Sequence, residues 1–162
     1  MRRVVLPLML MALGCRPATQ EFTEEQKTAV AQEVAHAYDA YAAAVRTLDA
    51  DACLRLFQQG DDLTFAENGA VTRSWSGVAD VVRRTWPLFA SVTSFNWGKL
   101  NTQVLTRDVA VVTATFDFAG TDTTGAAVEF HGLATHVWLN TDGGWKIVNG
   151  TETYPRPESG AQ

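Results

Sequence analysis

Residues 127–154 read AVEFHGLATHVWLNTDGGWKIVNGTETY. They hold two long runs, Ala127 to Leu139 and Trp145 to Tyr154, joined by the turn signal Asp142-Gly143-Gly144. A link this short favours two antiparallel neighbours. Upstream, Ser94 to Thr106 and Val109 to Ala119 are two more runs of the same kind, separated by Arg107-Asp108. The polar segment Thr121 to Gly125 separates them from the closing pair. Residues 94–154 therefore predict a meander of four long strands.

Further toward the N-terminus the period changes. Thr23-Glu24-Glu25-Gln26 forms a capping box, in which the Thr hydroxyl accepts from the Gln26 amide and the Gln side chain reaches back. Val30, Val34, Tyr38, Tyr41, Val45 and Leu48 then recur at steps of three and four, one apolar stripe of a long helix. Asp49 to Asp51 breaks that stripe and caps a second helix, about Ala50 to Gln58, with Cys53, Leu56 and Phe57 inside. Leu63 to Ala66 and Val71 to Trp75 read as short strands around the turn Glu67-Asn68-Gly69. Ser76-Gly77 opens a third helix to about Trp86, which Pro87 ends or kinks. Three helices ahead of a strand meander predict an α+β fold, with the helices packed on one face of an antiparallel sheet. Strands this long twist and bend, so the covered sheet encloses a cone open at one end.

The first residues read as an export signal. Arg2 and Arg3 precede an apolar run from Val4 to Leu13. Ten helical residues span roughly 15 Å, half a bilayer core, too short for a membrane span. A charged start, a short apolar centre and small residues near a cut form the signal-peptide pattern. Ala12-Leu13-Gly14-Cys15 resembles the lipobox of bacterial lipoproteins. That resemblance implies cleavage after residue 14, acylation of Cys15 and an exported, membrane-anchored protein in the periplasm or at the cell surface. Residues 15–22 then form a tether, 23–154 the folded domain, and 155–162 a loose tail rich in Pro and small polar residues.

Without Arg2 and Arg3 the 13 basic side chains fall to 11, against 18 acidic, a formal charge of −7. With no Lys/Arg run, the chain offers no electrostatic footprint for nucleic acid. Only Cys15 and Cys53 occur, and Cys53 reads as a small buried hydrophobe. Too few Cys and His are present to predict a zinc site or redox pair. No phosphate loop, nucleophile elbow or His-Glu-x-x-His helix occurs, so no metal or cofactor is implied.

Tyr41 to Phe57, Ser76-Gly77 and the hairpin His136 to Val148 together resemble the nuclear-transport-factor-two-like superfamily of cone-shaped folds, which includes ketosteroid isomerases and SnoaL-like cyclases. Within that resemblance Tyr41 falls at the place of the isomerases' oxyanion-hole Tyr. Glu67 falls at or near their general-base Asp, and Thr135 replaces their protonated Asp. Loss of one oxyanion donor costs on the order of 10² to 10³ in rate, which argues against that isomerisation. Relatives with two His on the last strand carry them where Asn149 and Thr151 stand here.

A cone lined by Tyr41, Trp75, Trp86, Phe89, Trp97 and Thr135 would be apolar with a few polar groups, as small-molecule sites are. The same rings would also suit a filled core. Glu67 reads as a turn acid facing water or as a base raised into the neutral range by an apolar mouth. Tyr41 reads as a donor to a ligand. His131 and His136, five residues apart, fall on opposite faces of one strand. His131 shares parity with Thr135 and is expected inside, as a second candidate base. His136 is expected outside with Trp138. Three functions stay open: a binder of an apolar small molecule; an isomerase, dehydratase or cyclase using Glu67 or His131 with Tyr41; and a dimerisation module using Phe130 and Trp138 on the outer sheet face.

Overall fold

The computed structural model describes residues 22–154. The expected signal segment, Cys15, most of the tether and the tail 155–162 lie outside the described residues. Helix α1, Glu24–Thr47, begins at the Thr23/Gln26 capping box and ends at Leu48 in the left-handed conformation. Helix α2, Ala50–Leu54, is capped by the Asp49 side chain and is shorter than the sequence suggests. Strands β1, Thr64–Glu67, and β2, Ala70–Arg73, form a hairpin closed by Glu67 opposite Ala70. Asn68 and Gly69 both take positive φ, 47° and 85°, as a two-residue turn matching the strand twist requires. Helix α3, Trp75–Thr85, then leads into a 3₁₀ turn, Trp86–Leu88, with Pro87 in its opening positions.

The remaining strands are β3, Phe89–Trp97; β4, Asn101–Val104; β5, Val109–Asp122; β6, Ala127–Thr141; and β7, Gly144–Thr153. The run expected from Ser94 to Thr106 is two strands, broken at Gly98. A Cβ there would meet the Thr115 hydroxyl at 2.3 Å.

The seven strands form one sheet in the order β2-β1-β7-β6-β5-β3, with β4 also on β5. The expected all-antiparallel sheet is corrected at one place: β1 runs parallel to β7, making the sheet mixed. A parallel neighbour needs a long crossover. Here α3 and the whole β3–β6 meander supply it. After α2 the chain already runs along β7, where Phe57 bridges Ile147 in parallel.

Tyr38, Tyr41, Val34 and Val45 of α1 pack on the concave sheet face. Even-numbered residues of β5 and β6 point there, including Val112, Phe116, Phe118, Ala134, His136 and Trp138. This inverts the expected faces of β6. His136 and Trp138 are fully buried, whereas the His131 side chain is 85 % exposed beside Asp117. Thr135 also leaves the cone, its hydroxyl 3.0 Å from that of Thr113. Phe130 and Trp138 sit on the inner face and do not form an outer contact. Opposite faces follow from the pleat. The choice between them follows from the large rings: Phe130 and Trp138 share parity with His136, while the odd positions carry the smaller Leu133, Val137 and Leu139.

Candidate functional site: a cavity between helices and sheet

A cavity of about 380 Å³ lies between the helices and the concave sheet. Val78, Val81 and Val82 of α3, with Trp86, Leu88 and Phe89 after it, form one wall. Phe116 and Phe118 of β5 and Phe130 of β6 line it from the sheet. Tyr41, Glu67, Glu152 and Tyr154 supply polar atoms to the same space.

The two glutamates arrive by backbone register. Glu67 ends β1 and is the parallel-ladder partner of Glu152 on β7. Neighbouring strands lie about 4.8 Å apart, so the carboxylates emerge side by side. Glu152 reaches the inner face through an irregularity. Trp145 and Ile147 point inward, and strict alternation would send Asn149, Thr151 and Thr153 after them. The β6–β7 register instead pairs Trp138 with Ile147 and Val137 with Asn149, leaving Val148 as an extra residue. That bulge re-aims the strand. Gly150, Glu152 and Tyr154 then face in.

Tyrosines from two elements hold the acids. The Tyr41 hydroxyl donates to Glu152 Oε1 at 3.3 Å. The Tyr154 hydroxyl donates to Glu67 Oε1, and the Tyr154 amide donates to Asn68 Oδ1 at 2.9 Å. Behind Glu152, His136 Nε2 lies 3.2 Å from Oε1 but off the line of a hydrogen bond. The other ring nitrogen, Nδ1, lies 2.9 Å from the Tyr38 hydroxyl. Tyr38 and Tyr41, three residues apart, project from one face of α1. Gly150 makes room for this set. A Cβ there would fall 2.6 Å from the Phe65 ring and 2.8 Å from His136 Cδ2.

Burial, and next the negative charge of Glu152, holds the Tyr41 phenol well above its ordinary range. Tyr41 therefore remains a neutral O–H donor. Burial first and Glu152 second also push the Cys53 thiol up. Cys53 lines the cavity as a protonated thiol, a poor nucleophile. At the rim, Asp122 is held below the usual carboxylate range, chiefly by the Thr124 hydroxyl and the Ala126 amide. Among the described residues no cluster of three His, Cys, Asp or Glu could hold a metal ion.

Of the residues singled out from sequence, Tyr41, Glu67, Trp86 and Phe89 line this cavity. Trp75, Trp97, Thr135 and His131 do not, and these placements are corrected. The Trp75 indole donates to the Leu54 carbonyl at 3.2 Å, with Arg83 over its ring. Trp97 packs edge-on against Tyr38 and Tyr41, in the core behind the cavity wall. His131 is outside, so it is no base for this space. Sequence reasoning missed Glu152, Tyr154, Tyr38 and His136. The one local signal for the first two is the adjacent apolar pair Ile147-Val148, which strict alternation forbids.

A family model described as a SnoaL-like domain matches residues 34–156. A search of curated proteins found no match. Among solved structures the chain is similar to a nuclear transport factor 2 (NTF2-like) superfamily protein from Salmonella enterica serovar Typhimurium LT2. That match has a TM-score of 0.72 at 19 % identity, covering 82 % of this chain and 96 % of that one. It is also similar to hexachlorocyclohexane dehydrochlorinase LinA-type3 from Novosphingobium barchaimii LL02, with a TM-score of 0.69 at 14 % identity, covering 86 % and 97 %. A third is an NTF-2 like protein of unknown function from Shewanella oneidensis MR-1, with a TM-score of 0.62 at 15 % identity, covering 76 % and 98 %. At these identities the structures speak for the fold, and the family model speaks for the family: this chain belongs to the SnoaL-like family, on the NTF2-like cone.

Proposed function

We propose that the domain binds an apolar small molecule inside the cone. One observation carries this reading: a cavity of about 380 Å³ walled by aromatic and branched aliphatic side chains, with a few converging polar groups. Pockets of this size and make-up are the usual form of small-molecule sites. The test is titration with N-phenyl-1-naphthylamine, a neutral apolar dye that brightens when it leaves water. Saturable one-to-one binding is expected. Val82→Trp, which places an indole in the cavity, should abolish it. Absence of saturable binding to the wild-type protein would end the reading.

A second reading is favoured by the Glu67–Tyr154 and Glu152–Tyr41 pairs. A carboxylate placed to act as a base and a neutral phenol that can donate a hydrogen bond to a developing negative oxygen stand together in an apolar space. The similarity in fold to a dehydrochlorinase is consistent with such chemistry. For location, Arg2-Arg3, the short apolar run and Gly14-Cys15 support export with a lipid on Cys15. Mass spectrometry of the membrane-extracted protein tests this by showing acylated Cys15 as the first residue.

A further inference from the structure

Resting on the cavity reading above, we infer that the molecule accepted is an apolar cation, an amine or quaternary ammonium carried on a hydrocarbon or aromatic frame. The lining has a one-sided charge. Glu67, Glu152 and, at the rim, Asp122 contribute to it, and among the described residues no Lys, Arg or His does. The register that sets Glu67 beside Glu152 places two acids against one wall of an apolar space. The side chains that donate to them are phenols, Tyr154 and Tyr41, which carry no positive charge. His136, behind Glu152, is the nearest group able to carry one, and even as a cation it would balance one acid of the two.

The rings beside the acids give a second, independent argument. Phe118 stacks on Phe130 with centroids 4.6 Å apart, Phe130 on Tyr154 at 4.7 Å, and Phe116 meets Tyr154 edge-on. All four line the cavity. Stacking covers the faces of Phe130, and a ring face left open at either end of the stack attracts cations, most strongly where water is excluded. An anionic guest would meet repulsion from both glutamates. A neutral guest of the same shape would fill the apolar space but, leaving the two acids unneutralised, would bind less tightly than a cation.

The experiment uses two probes of nearly the same shape, phenyltrimethylammonium and tert-butylbenzene, each displacing N-phenyl-1-naphthylamine from purified protein. The comparison is between wild type and Glu67→Gln/Glu152→Gln, so that each probe's own desolvation cancels. The ammonium is expected to lose about tenfold or more in affinity in the double variant, while tert-butylbenzene changes by less than about threefold. Glu67→Gln and Glu152→Gln made singly keep the test open if the double variant does not fold, each then losing part of the effect. Parallel changes for both probes, or an ammonium that never displaces the dye, would overturn the inference and leave the cavity reading standing. Failure of the dye itself to bind would overturn both.

Discussion

Tyr38→Phe isolates the bond on which the buried end of the polar network depends. Tyr38 is 1 % exposed and His136 0 %. Their 2.9 Å contact gives His136 its one aligned side-chain partner among the described residues, since Nε2 lies off axis from Glu152. Phe keeps the ring against Trp97 at 4.9 Å and Trp138 at 5.3 Å, so little packing changes. What is lost is the hydroxyl, and His136 Nδ1 is then left bare in an apolar surround. An orphaned buried donor or acceptor costs about 1–3 kcal/mol. With a urea slope of roughly 2 kcal/mol/M, the unfolding midpoint should fall by roughly 0.5–1.5 M at unchanged slope. The same substitution in a His136→Leu background should cost less, because there the Tyr38 hydroxyl has lost the imidazole and keeps only the Trp138 indole. An equal cost in both backgrounds, or none in the wild type, would refute the pairing as a source of stability.

Gly150→Ala drives a methyl group into the Phe65 ring and His136, both held in the core, and should cost about 1–3 kcal/mol in urea unfolding. Gly143→Ala, where the nearest atom is 3.5 Å away on a lysine side chain, serves as the control with a much smaller effect. At high pH the domain should weaken. Burial raises the Tyr41 phenol in the folded state above its unfolded value of 10.0, so the unfolded chain releases that proton first. The stabilisation is complete below about pH 10 and declines above it, by up to about 1.4 kcal/mol per pH unit for such a group. Thermal melts from pH 8 to 11 read this, and a flat profile would contradict the burial of Tyr41.

Local signals with a single physical solution were legible in the sequence. The Thr23/Gln26 box, the α1 stripe, the Asn68-Gly69 turn and the opposite facing of His131 and His136 each follow from short-range geometry. The parallel β1–β7 pair was not legible, because strand direction across a long crossover leaves no mark in either strand. The face of β6 was partly so. Its even positions carry the two large rings, Phe130 and Trp138, which outweigh the placement of Thr135 taken from family likeness. Trp75 and Trp97 show the limit of composition as a guide. Large rings fill cores and line cavities alike, and only the packing partners separate the two.

The chemistry of the cavity turns on one extra residue. Without the bulge at Val148, Thr151 and Thr153 would enter the cone, and Glu152 would leave it for the convex face. Glu67 alone would then face the aromatic wall. With the bulge, Gly150 falls where His136 and Phe65 need space, and Glu152 lands between Tyr41 and its ladder partner Glu67. Helix α1 is matched to this register. Its Tyr38 reaches the imidazole behind the acid, while its Tyr41, one turn on, reaches the acid itself. A straight β7 would take the carboxylate away from the Tyr41 hydroxyl, while Tyr38 would keep its imidazole on β6. Tyr41 on the helix and the irregularity on the strand are therefore two halves of one device that brings a second carboxylate indoors.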